Sequence, residues 1–253
     1  MRYLGTSGWS YPAFTEKLYK EKMSGIDQLT CYAKTFNSVE INYSFYHIPK
    51  AQTFRNWFVA TPEDFGFAIK LHRQFTHENK LLLTTTSKEQ LRIFLQNAGE
   101  LKDKFKVLLI QTPPGLIADI SVLKIFLKHL TGLTKTLPHI PHVAFEFRNE
   151  SWFSQEIYEL LEKHKAAVVI SQSATHPEKH LVLSGIIYLR LHGPEKMFDS
   201  SYTPAMLHTW HTFLDQHPQA VCYIYFNNTM NGRSIQDALY LQNLENGKNK
   251  ILK

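Results

Sequence analysis

The sequence has little cysteine. Its two cysteines, Cys31 and Cys222, stand far apart and fit neither a redox Cys-x-x-Cys nor a zinc pattern. That argues against a disulfide-stapled scaffold and leads to the expectation of two buried thiols in a reducing compartment. No apolar run is long enough to span a bilayer, and Met1-Arg2-Tyr3-Leu4-Gly5-Thr6 has no basic segment followed by an apolar core, so no membrane partner and a cytoplasmic location are expected. No Gly-rich phosphate loop follows the first apolar segment, as a dinucleotide-binding fold would require. No linker, low-complexity tract or obvious repeat divides the 253 residues, and a single domain over 1–253 follows. Dense basic blocks are missing too: a formal charge of +6 and a pI of 9.1 come from scattered Lys and Arg. The net charge favours anionic partners, and a nucleic acid draws only weak support from it.

What is present is a regular alternation. Short apolar or aromatic runs at 3–6, 38–42, 67–70, 107–111, 143–147, 167–170, 186–191 and 221–226 read as eight buried strands. Helix-like stretches lie between them at 27–36, 52–60, 87–102, 121–130, 155–165, 204–216 and 234–244. Ser87-Lys88-Glu89-Gln90 reads as a capping box, and Thr203-Pro204 as an N-cap with proline in the first turn. Strands alternating with helices demand parallel pairing through right-handed crossovers, and eight such units close into a (β/α)₈ TIM barrel. The connection from Ser171 to Gly185 is short and contains Pro177, so one outer helix should be reduced or missing.

Side chains two apart on a strand face the same way. Glu40 and Asn42, Lys70 and His72, Glu146 and Arg148, and Arg190 and His192 are such pairs at strand ends, while Gln111 ends the fourth strand and Asn227 and Asn228 follow the eighth. A barrel interior is apolar and an isolated buried charge is costly, so these groups belong at the C-terminal mouth, where barrels carry their chemistry. The same pairs could instead neutralise one another as a buried ion network, Glu40 with Arg190 or Glu146 with Arg148.

These segments resemble the YecE-like family, a barrel family whose domain is of unknown function. The likeness covers almost the whole chain in ordered blocks: Gly5-Thr6-Ser7-Gly8-Trp9-Ser10-Tyr11, Phe36-Asn37-Ser38-Val39-Glu40-Ile41-Asn42 with Phe45-Tyr46, Lys70 with Thr76-His77-Glu78, and Gln111-Thr112-Pro113-Pro114. It continues through Phe145-Glu146-Phe147-Arg148 with Ser151-Trp152, Arg190-Leu191-His192-Gly193-Pro194 and Phe226-Asn227-Asn228. The chain departs from the pattern at Gln172, where the family commonly carries Asp, and at Asn149-Glu150, where it often has His-Pro. The resemblance also favours Lys70 and His77 over His72 as site residues.

The chemistry these residues allow is acid–base work on an anionic substrate. Glu40 and Glu146 can act as base or metal ligand, Lys70, Arg148 and Arg190 can hold an anion, and His77 and His192 can move protons. Glu146, Arg148, Glu40, Lys70 and His192 are therefore the catalytic candidates. Trp9, Tyr46 and Trp152 could stack on a sugar or base, with His77, Asn42, Gln111, Arg190, Asn227 and Asn228 completing the substrate contacts. The expectation is an enzyme, a hydrolase, lyase or isomerase, for a phosphorylated sugar or nucleotide-like substrate. The alternatives are a two-carboxylate glycosidase, a nucleic-acid-binding protein, a metal-dependent phosphodiesterase and a non-catalytic ligand-binding barrel. A divalent metal is possible without being indicated: His208 with His211, and His139 with His142, read as surface histidines. The oligomeric state is left open.

Overall fold

The structure, a computed structural model, describes residues 1–15, 17–19 and 23–247. Eight strands appear where the apolar runs stand: β1 (Arg2–Thr6), β2 (Ser38–Ile41), β3 (Gly66–Lys70), β4 (Phe105–Gln111), β5 (His142–Glu146), β6 (Ala166–Gln172), β7 (Ile186–Leu191) and β8 (Val221–Phe226). They form one all-parallel sheet in the order β1-β8-β7-β6-β5-β4-β3-β2. The helices are α1 (Gly25–Tyr32), α2 (Tyr43–Tyr46), α3 (Ala51–Val59), α4 (Thr85–Ala98), α5 (Ile120–Thr134), α6 (Gln155–Lys163), α7 (Pro204–Asp215) and α8 (Arg233–Glu245). Between β6 and β7 no helix forms, as the short Pro177 segment implies. Among the described residues no helix is long and apolar enough to cross a membrane. Cys222 is buried and Cys31 half-buried, and neither is in a disulfide.

Each strand serves two apolar layers. Residues such as Val39, Ile69, Ile110, Phe145 and Leu189 face outward into the main core under the helices. Their neighbours Tyr3, Ala68, Val107, Leu109, Ala144, Ala167, Val169, Tyr188, Tyr223 and Tyr225 form a separate cluster that fills the barrel. The interior files then turn polar toward the strand C-termini.

Helix α7 begins as its sequence dictates, with Thr203 accepting the Met206 amide at 3.3 Å and Pro204 in the first turn. The N-cap of helix α4 lies three residues before Ser87, where the sequence places the start of the box. Thr84 is the N-cap, accepting the Ser87 amide at 3.1 Å, and the Ser87 hydroxyl accepts the Thr84 amide at 2.8 Å. Ser87 is thus the third helical residue of the box, because the upstream Thr84 hydroxyl was free to cap, and the helix ends at Ala98, short of the expected Lys102, where a 3-10 segment over Gly99–Lys104 takes over. A short π-helical turn over Gln74–Glu78 had no counterpart in the periodicity.

The barrel closes between β1 and β2 by unusual means. Only a single bridge, Ser7 to Glu40, joins them, with the Gly8 amide on the Glu40 carbonyl at 2.8 Å. Elsewhere side chains replace the ladder. Asn37 accepts from the Leu4 amide at 2.8 Å and donates to the Arg2 carbonyl at 2.9 Å. The buried Tyr32 hydroxyl accepts from the Thr6 amide at 2.7 Å and donates to the Ser38 carbonyl at 3.1 Å. Gly5 lets the strands approach, because a Cβ there would lie 1.9 Å from the Ser38 carbonyl oxygen. Tyr32→Phe, which strands a buried amide and a carbonyl, should cost about 1–3 kcal/mol in urea unfolding, and Gly5→Ala should cost more than Tyr32→Phe. A Gly5→Ala protein of undiminished stability would contradict this account of the seam.

Candidate active site

The interior-facing parity of each strand carries its last polar side chains to one end of the barrel. Glu40 comes from β2, Lys70 from β3, Gln111 from β4, Glu146 from β5 with Arg148 just beyond, and Arg190 from β7 with His192 just beyond. At the centre lies Arg190, 1% exposed, between two carboxylates that are each 0% exposed. Its Nε and Nη2 donate to Glu40 Oε2 and Oε1 at 2.9 and 2.7 Å, a bidentate pair, and its Nη1 donates to Glu146 Oε2. Glu40 also accepts from Tyr188 Oη and Ser7 Oγ, both at 2.8 Å. Arg148 Nε donates to Glu146 Oε1 at 3.1 Å.

This network sets the charge states. Burial alone would raise both carboxyls, but the Arg190 guanidinium overrides it and holds Glu40 below, and Glu146 well below, the usual carboxylate range. Two carboxylates are thereby matched by two guanidinium groups, and Lys70 has no counter-charge left. Among the described residues its ammonium has one hydrogen-bond partner, Gln111 Oε1 at 2.6 Å, and it stands 4.0 Å from the centre of the Phe45 ring. Burial, reinforced by the charge of Arg190, pushes Lys70 down to about 7. His192 is driven down to about 4 by burial and then by Arg190. It is neutral at pH 7, with Nδ1 accepting from Asn227 Nδ2 at 3.1 Å. That bond leaves the proton on Nε2, which lies 3.7 Å from Glu146 Oε1, too far for a hydrogen bond. His77, carried by the π-turn against the edge of Phe45, is lowered to about 4 by burial and by Lys70.

Several buried polar atoms in this region have no partner among the described residues: Asn42 Oδ1, Gln111 Nε2, His192 Nε2 and, on the β6–β7 connection, His176 Nε2. Buried polar groups are nearly always satisfied, so orphans clustered around one mouth mark where ligand or water belongs.

Other candidates lie elsewhere. Trp152 is 1% exposed, stacked on Phe147, with its indole N–H on the Leu116 carbonyl at 2.7 Å; it packs beneath a loop. Asn228 has the opposite parity to Asn227 and donates to Asp237 Oδ2 and the Ser200 carbonyl, at 2.7 and 2.9 Å, tying down α8. Tyr46 is exposed on the rim. Trp9 donates to the Gly25 carbonyl at 2.8 Å and, with Tyr11, Asn42, Tyr43 and Trp57, lines a side cavity of about 400 Å³. Gln172 accepts from the Tyr202 hydroxyl, so the departure there concerns a position outside the charged cluster. The sequence reading missed Ser7 and Tyr188 as partners of Glu40, although Tyr188 stands two before Arg190 and shares its face. It also missed Ser171, whose hydroxyl lies 3.4 Å from Glu146 Oε1. Among the described residues no group of three His, Cys, Asp or Glu side chains is placed to hold a metal ion.

An all-parallel eight-stranded barrel with a buried Glu–Arg–Glu cluster at its C-terminal mouth defines the class of protein. Residues 3–252 match the family described as protein of unknown function DUF72, and the chain belongs to that family. It is 31% identical over 166 residues to the UPF0759 protein YunF of Bacillus subtilis, covering 63% of this chain and 55% of YunF. It is 33% identical over 81 residues to the UPF0759 protein YecE of Escherichia coli K12, covering 32% of this chain and 27% of YecE. These matches thus span about half or less of the curated relatives' own length. Two solved DUF72 family proteins share the fold. One, from Enterococcus faecalis, has a TM-score of 0.82 at 21% identity, covering 97% of this chain and 96% of its own. The other, from Thermotoga maritima, has a TM-score of 0.80 at 24% identity, covering 97% and 99%. A D-psicose 3-epimerase solved in the presence of D-fructose shares the barrel at a TM-score of 0.55 and 9% identity, covering 94% and 89%.

Two measurements check the electrostatics. Arg190→Met, which leaves two carboxylates buried without a cation, should lose about 3–5 kcal/mol of unfolding stability. The triple change with Glu40→Gln and Glu146→Gln should recover much of that loss. The unfolded chain takes up histidine protons near 6.5 that the folded His192 and His77 refuse until about 4, and the lowered carboxyls act in the same direction. Stability should therefore fall as pH drops from 6.5 to 4, with His192 alone worth about 3 kcal/mol. A melting temperature flat across that range would contradict it.

Proposed function

We propose that this protein is an enzyme that moves protons on a small anionic, sugar-like substrate at the barrel mouth, with Lys70 as the acid–base group. The observation that carries this reading is the placement of Lys70: buried at a strand C-terminus, without a carboxylate of its own, beside the unpaired amide nitrogen of Gln111. A general acid or base works best when its pKa lies near the operating pH, and Lys70 is brought to about 7. Glu40 and Glu146 are poor candidates for that role because Arg190 keeps both ionised. The same fact speaks against a two-carboxylate glycosidase, whose acid needs a raised pKa.

Substrate contacts follow from what is uncommitted. Gln111 Nε2 and His192 Nε2 are donors for a carbonyl or hydroxyl oxygen, and Asn42 Oδ1 is an acceptor for a hydroxyl. Among the described residues Arg148 bonds Glu146 through Nε alone, which leaves its terminal nitrogens for a phosphate or carboxylate. The aromatic cavity around Trp9 and Trp57 adjoins Asn42 and offers faces for a sugar ring or base.

The test uses D-fructose and D-fructose 6-phosphate in deuterated water. NMR should show deuterium entering the carbon next to the carbonyl, at a rate that rises with pH through about 7. Lys70→Met should abolish exchange while sugar-induced thermal stabilisation persists, and Arg148→Ala should weaken binding of the phosphorylated sugar by about tenfold or more, as loss of a charged hydrogen bond implies. Absence of both exchange and stabilisation with either sugar would overturn the reading.

A further inference from the structure

We infer that Lys70 is a nucleophile that forms a covalent imine with the carbonyl carbon of an aldehyde or ketone substrate bound at the mouth. The inference rests on the substrate site proposed above and deepens it by naming the substrate class and the bond that forms, with Lys70 acting through that bond in place of carrying the proton itself.

The geometry supplies what such an amine needs. Amine nucleophiles must be uncharged, and proteins achieve this by desolvation or by neighbouring cations. Lys70 Nζ is buried against the Phe45 ring, and the groups facing it from the other elements are Glu40 on β2, Glu146 and Arg148 on and after β5, Arg190 on β7 and His77 on the π-turn. The two carboxylates are bound by the two guanidinium groups, so a protonated Lys70 would leave the cluster with an unmatched positive charge. Gln111 fixes Nζ through a single hydrogen bond; among the described residues nothing else occupies its remaining valences.

The reaction balances without a cofactor. The Nζ lone pair attacks the carbonyl carbon while the carbonyl oxygen takes up a proton, giving a carbinolamine. Loss of that oxygen as water, after a second proton moves onto it from nitrogen or solvent, leaves a protonated imine. The net change is amine, carbonyl and one proton in, iminium and water out. The iminium carries one positive charge at Nζ, which the anionic group of the substrate then offsets. The cluster thus accepts the charge in the presence of substrate and disfavours it in its absence. An iminium also makes the adjacent C–H acidic; with the Nζ lone pair spent in the new bond, that proton passes to water at the mouth, which gives the deuterium exchange expected above.

The experiment is reductive trapping. The full-length protein is incubated at pH 7 with dihydroxyacetone phosphate, and separately with dihydroxyacetone, in the presence of sodium cyanoborohydride, and adducts are located by peptide mass spectrometry. The expected result is a secondary-amine adduct on Lys70 that forms at least about tenfold faster than on exposed lysines, whose amines are almost wholly protonated at that pH. The phosphate should be the better reagent. Thermal stabilisation by the same compounds is read without reductant. Stabilisation and deuterium exchange without a Lys70 adduct would overturn the covalent step and leave acid–base catalysis standing. Labelling confined to exposed lysines, with no stabilisation and no exchange, would overturn both. Mapping on the unaltered chain keeps the test independent of whether Lys70→Met folds.

Discussion

The buried guanidinium of Arg190 is the constraint on which the mouth depends. It joins β2 to β5 across the barrel interior by bonding Glu40 and Glu146 at once. Three charges at no more than 1% exposure are expensive, and a guanidinium that bonds both carboxylates, one of them as a fork, is one of the few arrangements that offsets the desolvation. Once both carboxylates are committed, every other ionisable group nearby feels a site with no spare negative charge. Burial, and after it the charge of Arg190, pushes Lys70 and His192 toward their neutral forms. The same ion cluster that holds the mouth in register therefore adds to what burial does to the protonation of its neighbours.

Such a cluster contributes little to stability that apolar packing could not supply. Its partners show how much of the fold is committed to orienting it. Glu40 takes hydroxyls from Tyr188 and Ser7, and Ser7 in turn accepts from Asn42. Among the described residues Ser7 also forms the only bridge that closes β1 on β2. The seam closed largely by side chains and the charged cluster thus meet at Ser7 and Glu40, while Asn37 and Tyr32 join the same two strands where the ladder is missing.

Strand parity made most of this legible in the sequence. Polar residues two apart at Glu40 and Asn42, Glu146 and Arg148, and Arg190 and His192 had to share a face, and the apolar interior had to place that face at the mouth. The same rule separates Asn227 from Asn228, whose side chain turns outward to Asp237, and it would have picked out Tyr188 from its spacing to Arg190. What parity could not give was pairing across the barrel. Whether Arg190 would bind ligand or bridge Glu40 and Glu146 depends on long-range geometry, and both readings fitted the residue types. Off the strands the signal weakened further: Trp152 follows β5 closely but packs beneath its loop, and the π-turn that delivers His77 has no periodic signature.

A structural plug and a reactive site differ in how completely their polar atoms are satisfied. A plug built only to close the barrel would pair every donor and acceptor, since each buried orphan costs about 1–3 kcal/mol. Glu40 meets that standard, with protein donors on both oxygens. Asn42, Gln111 and His192 do not: each spends one polar atom holding a neighbour and leaves the other unpaired. The unpaired atom of Gln111 belongs to the residue that holds Lys70, that of His192 faces Glu146, and that of Asn42 belongs to the residue that holds Ser7. The fully paired Glu40 is thereby set apart from neighbours that still have a polar atom to offer.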